Sequence, residues 1–344
     1  MRRRVESLEQ WTAAVFAACD MPAEAAGLAA TMLVRSEMRG YRTHGLSRIP
    51  SYVERLLAGD FNARPNLRHR SFPGGIVLDA DGAMGQIAGP HAVTIGLEAL
   101  EKSASVLIAI RECGHLGALG IHALLAAEAG AFCMLGQRTP PLLAMEGFAH
   151  AAIGHNPIAF GCPMPSGAPI VFDIACSVAA RGHILLAARE GNSIPAGWAV
   201  DDTGAPTTDA RRALSGSLLP VGGHKGVGMS MMVECLAGAM AASAASLSSM
   251  QDAVPQSGAV GRQGGFMWLV KPGAFVDDSL FGAYMDQWTR YYLDAGRGRS
   301  RLPGARGARQ EAEGFAEGLE VPASIEAELS AVGERLEIPF PASS

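Results

Sequence analysis

The chain has 344 residues, 49% of them hydrophobic and 18% charged, with 42 glycines, which supports large folded cores and excludes a disordered chain. A net charge of −5 gives no general pull toward nucleic acid or an anionic membrane. The six cysteines form no C-x-x-C pair, which argues against a zinc site or a disulfide framework and suits a reducing cytoplasm.

From the start, Met1-Arg2-Arg3-Arg4 has no apolar run behind it, since Glu6, Glu9 and Gln10 interrupt; no export signal is expected and the location expected is cytoplasmic. Ser7 with Gln10 reads as a capping box, followed by Leu8, Trp11, Val15, Phe16 and Cys19 at helical spacing. Pro22 opens a second helix through Leu28, Met32 and Leu33 to near Gly40, and Pro50 a third through Tyr52, Val53, Leu56 and Leu57 to Gly59. Gly75–Leu78 and Val106–Ile110 read as strands, Ala118–Glu128 as a helix, and Phe132–Leu135 and Ile170–Ile174 as strands. Ala179–Arg189 reads as a helix and Pro195–Pro206 as a loop. Gly226–Leu247, with Glu234 in its middle, reads as a buried Ala-rich helix rather than a membrane span. Ser243–Gly265 is expected as a mobile loop and Gly265–Val270 as a strand. Leu280–Leu293 reads as a helix, Gly296–Arg309 as a glycine- and arginine-rich loop, and Ala323–Leu336 as a closing helix. The order is mixed α/β with helical ends, without tandem repeats.

The chemistry concentrates first in Arg42-Thr43-His44-Gly45-Leu46-Ser47-Arg48, a glycine-broken junction before the third helix. Imidazole exchanges a proton near neutral pH, and guanidinium grips a carboxylate with two parallel hydrogen bonds. Together they suit reduction of a 2-oxo or 2-imino acid, although a solvated helix start fits the same residues. No G-x-G-x-x-G follows a strand and no Walker A run occurs. Gly222-Gly223-His224-Lys225-Gly226 could seat an anion at a helix start, or be an ordinary turn. His115-Leu116-Gly117 lies at a strand-to-helix turn, where cofactors gather. Asn156 reads either as a polar spot or as a turn former, and Asp173 either as a polar spot or as a helix cap. No H-E-x-x-H or G-x-S-x-G occurs, so metal and serine-hydrolase chemistry find little support and no metal is expected.

Taken together, Arg39-Gly40, Thr43–Arg48, Gly114–Gly117, Gly154–Phe160, Phe172–Ala175, Ile194–Ala199, Leu219–Gly226 and Arg301–Gly304 resemble, in order, the malate/L-lactate dehydrogenase family. That family includes sulfolactate and ureidoglycolate dehydrogenases and piperideine- or pyrroline-2-carboxylate reductases. The resemblance implies an NAD- or NADP-dependent oxidoreductase that moves hydride at C2 of a small 2-oxo, 2-hydroxy or cyclic 2-imino acid. It also implies a non-Rossmann cofactor domain on a largely antiparallel sheet at residues 115–275. Residues 1–114 with 276–344 would form the substrate side and the helical contacts of a homodimer. In these terms His44, beside Thr43, is the proton donor, a role that some relatives give to the residue matching His115. Arg48 clamps the substrate carboxylate. His115, Leu116, Gly117, Asp173, Ile174, Ala175, His224, Lys225, Gly304 and Arg306 contact cofactor. The alternative is a diverged cofactor-binding protein, or a non-redox enzyme reusing the same pocket.

The sequence departs from the family pattern at several places. Thr43 replaces serine, His183 stands where some relatives carry an aspartate, and His155 stands where threonine is common. Ala305 replaces an acidic residue, and Gln137 and Arg138 replace small polar ones. These changes point to a diverged substrate pocket in which His155 and His183 meet an additional polar or anionic substituent. Arg297, Arg299, Arg301 and Arg306 fit either selection of NADP or a solvated loop.

Overall fold

The computed structural model describes residues 2–243 and 262–342. Three helices lead the chain: α1 (Val5–Ala17), α2 (Ala23–Met38) and α3 (Ile49–Ala58). Ser7 is not a cap, because α1 already starts at Val5 behind the extended Arg4. α3 holds Pro50 in its first turn, where the missing N–H would be unpaired anyway, and it ends at Gly59 in the left-handed region. Leu8, Val15, Phe16, Leu33, Ile49 and Val53 are fully buried and face a core shared with the sheet behind them; each such side chain contributes roughly 1.5–3 kcal/mol.

That sheet has seven strands. From edge to edge they are Arg68–Phe72, Gly75–Asp79, Ser105–Cys113, Gln263–Val270, Phe132–Gln137, Ile158–Cys162 and Ile170–Ile174. Every neighbouring pair is antiparallel except Gly75–Asp79 against Ser105–Cys113. Its strands come from both sides of residue 114. A smaller five-stranded sheet runs Pro206–Thr207, Ala199–Val200, Ser217–Leu218, Pro141–Leu143 and Ile153–Gly154. Its separate core joins Leu143, Cys176, Ile184, Ile194 and Leu218.

The remaining helices are α4 (Gly85–Leu100), α5 (Leu119–Glu128), α6 (Arg181–Glu190), α7 (Ala210–Ser215) and α8 (His224–Val233). They are followed by α9 (Asp278–Ala295), α10 (Ala305–Glu317) and α11 (Ala323–Arg335). Several expectations are corrected. α4 has no counterpart in the sequence reading, because it is buried nearly all round and offers no polar face to mark a period. Strand Arg68–Phe72 was also unread; it is an exposed, polar edge without alternation. Gly296–Arg309 is a loop only as far as Gly304, after which α10 begins. Pro195–Pro206 contains the short strand Ala199–Val200.

The helix expected over Gly226–Leu247 starts as α8, widens into π-helical turns at Glu234–Ala239, and leaves Met231, Met232 and Met240 exposed rather than buried. The mobile loop expected over Ser243–Gly265 falls for the most part outside the described residues, and Gln263–Gly265 already belongs to a strand. Among the described residues, no helix is long and apolar enough to cross a membrane.

Candidate active site

The junction between α2 and α3 folds as two tight turns, Arg42–His44 and Leu46–Arg48, hinged at Gly45. Glu37 of α2 fixes the hinge: its Oε2 accepts the Leu46 N–H at 3.1 Å. A Cβ on Gly45 would lie 2.4 Å from that oxygen and 2.9 Å from the Glu37 backbone nitrogen, so only glycine fits. Burial pushes the Glu37 carboxyl up, partly offset by Leu46 N–H and Arg42. Arg48 donates its Nε–H to the Thr43 carbonyl at 2.6 Å. That bond pins the guanidinium stem and leaves the two terminal nitrogens for an anion. The Thr43 hydroxyl meets His44 Nδ1 at 2.9 Å.

The second imidazole comes from the turn after strand Ser105–Cys113. His115 and His44 stand with ring centroids 5.4 Å apart and planes tilted by 35°. Gln137, almost fully buried, staples the His115 turn with both ends of its amide. Its Oε1 accepts the Leu116 N–H at 2.8 Å, and its Nε2 donates to the Gly114 carbonyl at 2.9 Å. The reading of Gln137 as one of the changes around substrate and cofactor is therefore corrected: it is core scaffolding beneath the turn. Gly117 sits at φ +76, and a Cβ there would come within 2.5 Å of Gln86 Nε2. On the other side of the turn, the Tyr52 hydroxyl meets His115 Nδ1 at 2.8 Å. His122 of α5 is sealed beneath the same turn, with its Nε2 2.8 Å from the Leu116 carbonyl.

The third imidazole, His155, follows strand Ile153–Gly154 of the small sheet and meets the Thr139 hydroxyl at 3.1 Å through Nδ1. Asn156 beside it is fully buried at φ +24 and works as a clasp. Its Oδ1 accepts the Thr139 N–H at 2.8 Å, and its Nδ2 donates to the Ser230 carbonyl and to Glu234, each at 3.0 Å. Arg138 donates to the other Glu234 oxygen at 2.8 Å.

Electrostatics tie the three rings to one recess. His44 is pushed down to about 3, first by loss of water and then by Arg48 and His155. Burial likewise holds His115 well below its ordinary value, helped by His44, Arg48, His155 and Arg55. His155 falls to about 4 through burial, Arg181 and Arg48. All three rings keep some exposed surface, so the recess is open to a ligand. At neutral pH it offers neutral imidazoles that donate or accept hydrogen bonds around a fixed guanidinium. The described residues contain no group of three or more side chains able to hold a metal ion. His183 is exposed, and its ring lies 6.3 Å from Trp198 rather than beside the three imidazoles.

The residues matched to cofactor contact form a strip beside the recess. Asp173 Oδ2 accepts the Gly120 N–H at 2.7 Å, so the helix-cap reading of Asp173 is what the structure shows, across 53 residues of sequence. Burial raises the Asp173 carboxyl to about 6 against the pull of the Gly120 and Leu119 amides. The Gly304 turn lies against the same strand, with the Val171 N–H donating to the Pro303 carbonyl at 3.1 Å. Arg306 and Asp173 both act on Tyr41, whose phenol burial raises to about 12. Cys176, next to Ala175, accepts the Val221 N–H and donates its own N–H to the His155 carbonyl, each at 2.8 Å. These bonds place the glycine turn before α8 beside Ile174–Ala175. His224 and Lys225 are exposed in the first turn of α8.

Tyr52, Gln86, Glu37, Thr139 and Arg181 were not among the expected site residues. Tyr52 had been read only as part of an apolar helix face, and its hydroxyl was the available signal.

Residues 4–330 match the family model described as malate/L-lactate dehydrogenase. A Δ1-pyrroline-2-carboxylate reductase from Ancylobacter novellus is 37% identical over 89% of this chain and 90% of its own length. An L-sulfolactate dehydrogenase from Methanothermobacter thermautotrophicus is 28% identical over 94% of each. The crystal structure of Δ1-piperideine-2-carboxylate reductase from Pseudomonas syringae superposes with a TM-score of 0.86 at 29% identity, covering 96% of this chain and 99% of that one. With its mixed α/β fold, its imidazole and guanidinium recess and a match along nearly its whole length, the chain belongs to the malate/L-lactate dehydrogenase family of oxidoreductases.

Proposed function

We propose that the protein is an NAD- or NADP-dependent reductase or dehydrogenase acting at C2 of a small 2-oxo, 2-hydroxy or cyclic 2-imino acid. The observation that carries this reading is the convergence of His44, His115 and His155 on Arg48. The terminal nitrogens of Arg48 have no partner among the described residues, which fits a clamp on the substrate carboxylate. That clamp fixes which face of C2 is presented. His44 or His115 passes a proton at the C2 oxygen or nitrogen. His155 reads the rest of the substrate.

The strip beside the recess fits a dinucleotide. Gly117 and the outer strand of the large sheet through Asp173 and Ile174 offer backbone to it. Lys225 and Arg306 are exposed cations suited to phosphates, with the exposed His224 beside them, and Gly304 lets the chain pass close to the strand at Val171. When bound, reduced nicotinamide supplies the hydride. In this reading residues 115–275 carry most cofactor contacts, and 1–114 with 276–344 the substrate side.

The test follows nicotinamide absorbance while 2-oxo acids and cyclic 2-imino acids are offered with NADH and with NADPH. The expected result is oxidation of at least one nucleotide by acids of this class. Tight nucleotide binding with no oxidation by any of them contradicts it, and leaves a cofactor-binding protein without turnover.

A further inference from the structure

Behind His115 lies a directed chain of hydrogen bonds. The Gln86 amide nitrogen donates to the Tyr52 oxygen at 3.4 Å, and that oxygen lies 2.8 Å from His115 Nδ1. The amide N–H donates, so the Tyr52 oxygen accepts there and its own O–H is free to donate to His115. A neutral ring whose Nδ1 accepts carries its proton on Nε2, the nitrogen left without a partner among the described residues. Thr43 gives His44 no such direction, because its exposed hydroxyl can donate or accept.

We propose that Tyr52, positioned by Gln86, is the proton reservoir of a relay through His115. As negative charge develops on the substrate's C2 oxygen or nitrogen, the His115 Nε2–H proton passes to it. The Tyr52 O–H proton then passes to Nδ1. The Nε2–H and Oη–H bonds break, and the substrate O–H or N–H and the Nδ1–H bonds form. The ring stays neutral in its other tautomer and the charge comes to rest as a tyrosinate; once product leaves, a proton from the recess enters at His115 Nε2 and the Nδ1 proton returns to Tyr52. The Gln86 N–H stays on that oxygen throughout.

The charges around the pair fit such a relay. Among the described residues His115 meets no carboxylate; burial, then His44, Arg48, His155 and Arg55, disfavour a cationic ring, which suits a proton drawn from a neutral group. Burial keeps the Tyr52 phenol protonated at rest, and Cys113 acts in the same sense. Arg48, Gln86 and Arg55 pull the other way and favour the tyrosinate once it forms. The relay's direction of transfer rests on the functional reading, whereas the hydrogen-bond chain is a property of the free protein.

The test has two arms. In histidine-labelled protein without cofactor, ring-nitrogen chemical shifts report each tautomer, with His115 assigned through His115→Gln. The expected wild-type state is Nε2–H. Tyr52→Phe keeps the packed ring and is expected to lose that single tautomer. Gln86→Glu puts an acceptor against the phenol and is expected to move the proton to Nδ1. In turnover, Tyr52→Phe is expected to lower kcat by about 10²-fold with KM little changed. A wild-type His115 protonated on Nδ1, or a Tyr52→Phe enzyme with undiminished kcat, overturns the relay. Wild-type protein with no nicotinamide-linked turnover overturns the functional reading and the transfer with it, and the nitrogen shifts still decide the hydrogen-bond chain.

Discussion

His44, His115 and His155 are held neutral because water is thinned around each ring and because Arg48 faces all three. His122, sealed under the His115 turn, falls to about 4 through burial. These shifts set a pH dependence of stability whose sign can be worked out. The unfolded chain protonates histidine near about 6.5, while the fold keeps these rings neutral well below that. Between the two values the unfolded state binds more protons, so stability falls as the pH drops through that window. Asp173, raised to about 6, acts in the opposite sense over its own narrower range, as do Glu37 and Glu9. The four imidazoles outweigh them, since all four act in the same sense between about pH 5 and 6.5. The urea midpoint is therefore expected to drop from about pH 7 to about pH 5, and a midpoint that holds level or rises contradicts these environments. His44, Arg48 and His115 were legible because their motifs are short and local. Glu37, Gln86 and the stapling role of Gln137 were not, because none carries a motif of its own and only the fold brings each beside Leu46, Tyr52 and the Gly114–Leu116 turn.

At the level of elements, the cofactor strip depends on how α10 is tied to α2. Arg39, directly after α2, is buried, ion-pairs with Glu311 of α10, and donates to the Gly304 carbonyl at 3.3 Å. Arg35 donates to the same Glu311 at 2.7 Å. Glu311→Ala leaves the Arg39 guanidinium buried without its carboxylate, and is expected to cost about 3–5 kcal/mol in denaturant unfolding. It should also weaken nucleotide binding by loosening the Gly304 turn. A loss within a few tenths of a kcal/mol would mean that solvent replaces the pair. The helical start of the chain, the apolar strands at Gly75–Asp79, Ser105–Cys113, Phe132–Gln137, Ile170–Ile174 and Gln263–Val270, and α5 were readable from apolar runs and glycine stops. α10 was hidden by Gly307 and its arginines, whose helical setting comes from packing: Gly307 lies against the Arg39 backbone. The antiparallel sheet order was implied only by the family resemblance, since spacing along the chain says nothing about which strands pair.

For the whole molecule, α9 presents Leu280, Tyr284, Trp288 and Tyr291 along one exposed face, with Tyr291 76% and Trp288 44% accessible. We infer that a second copy covers this stripe, because exposed aromatic patches of this kind mark association surfaces. Sedimentation is expected to give a dimer for the wild type and a monomer for Trp288→Glu; a monomeric wild type removes the inference. The central claim, however, concerns the recess. It is tested most directly by kcat/KM of wild type and Arg48→Ala on a reducible 2-oxo acid and on its uncharged carboxamide. The account predicts that the wild type prefers the acid and that Arg48→Ala loses about 10²-fold or more on the acid alone, the size of a charge-assisted bidentate contact. Equal losses on acid and amide, or none on either, would contradict a carboxylate held by Arg48.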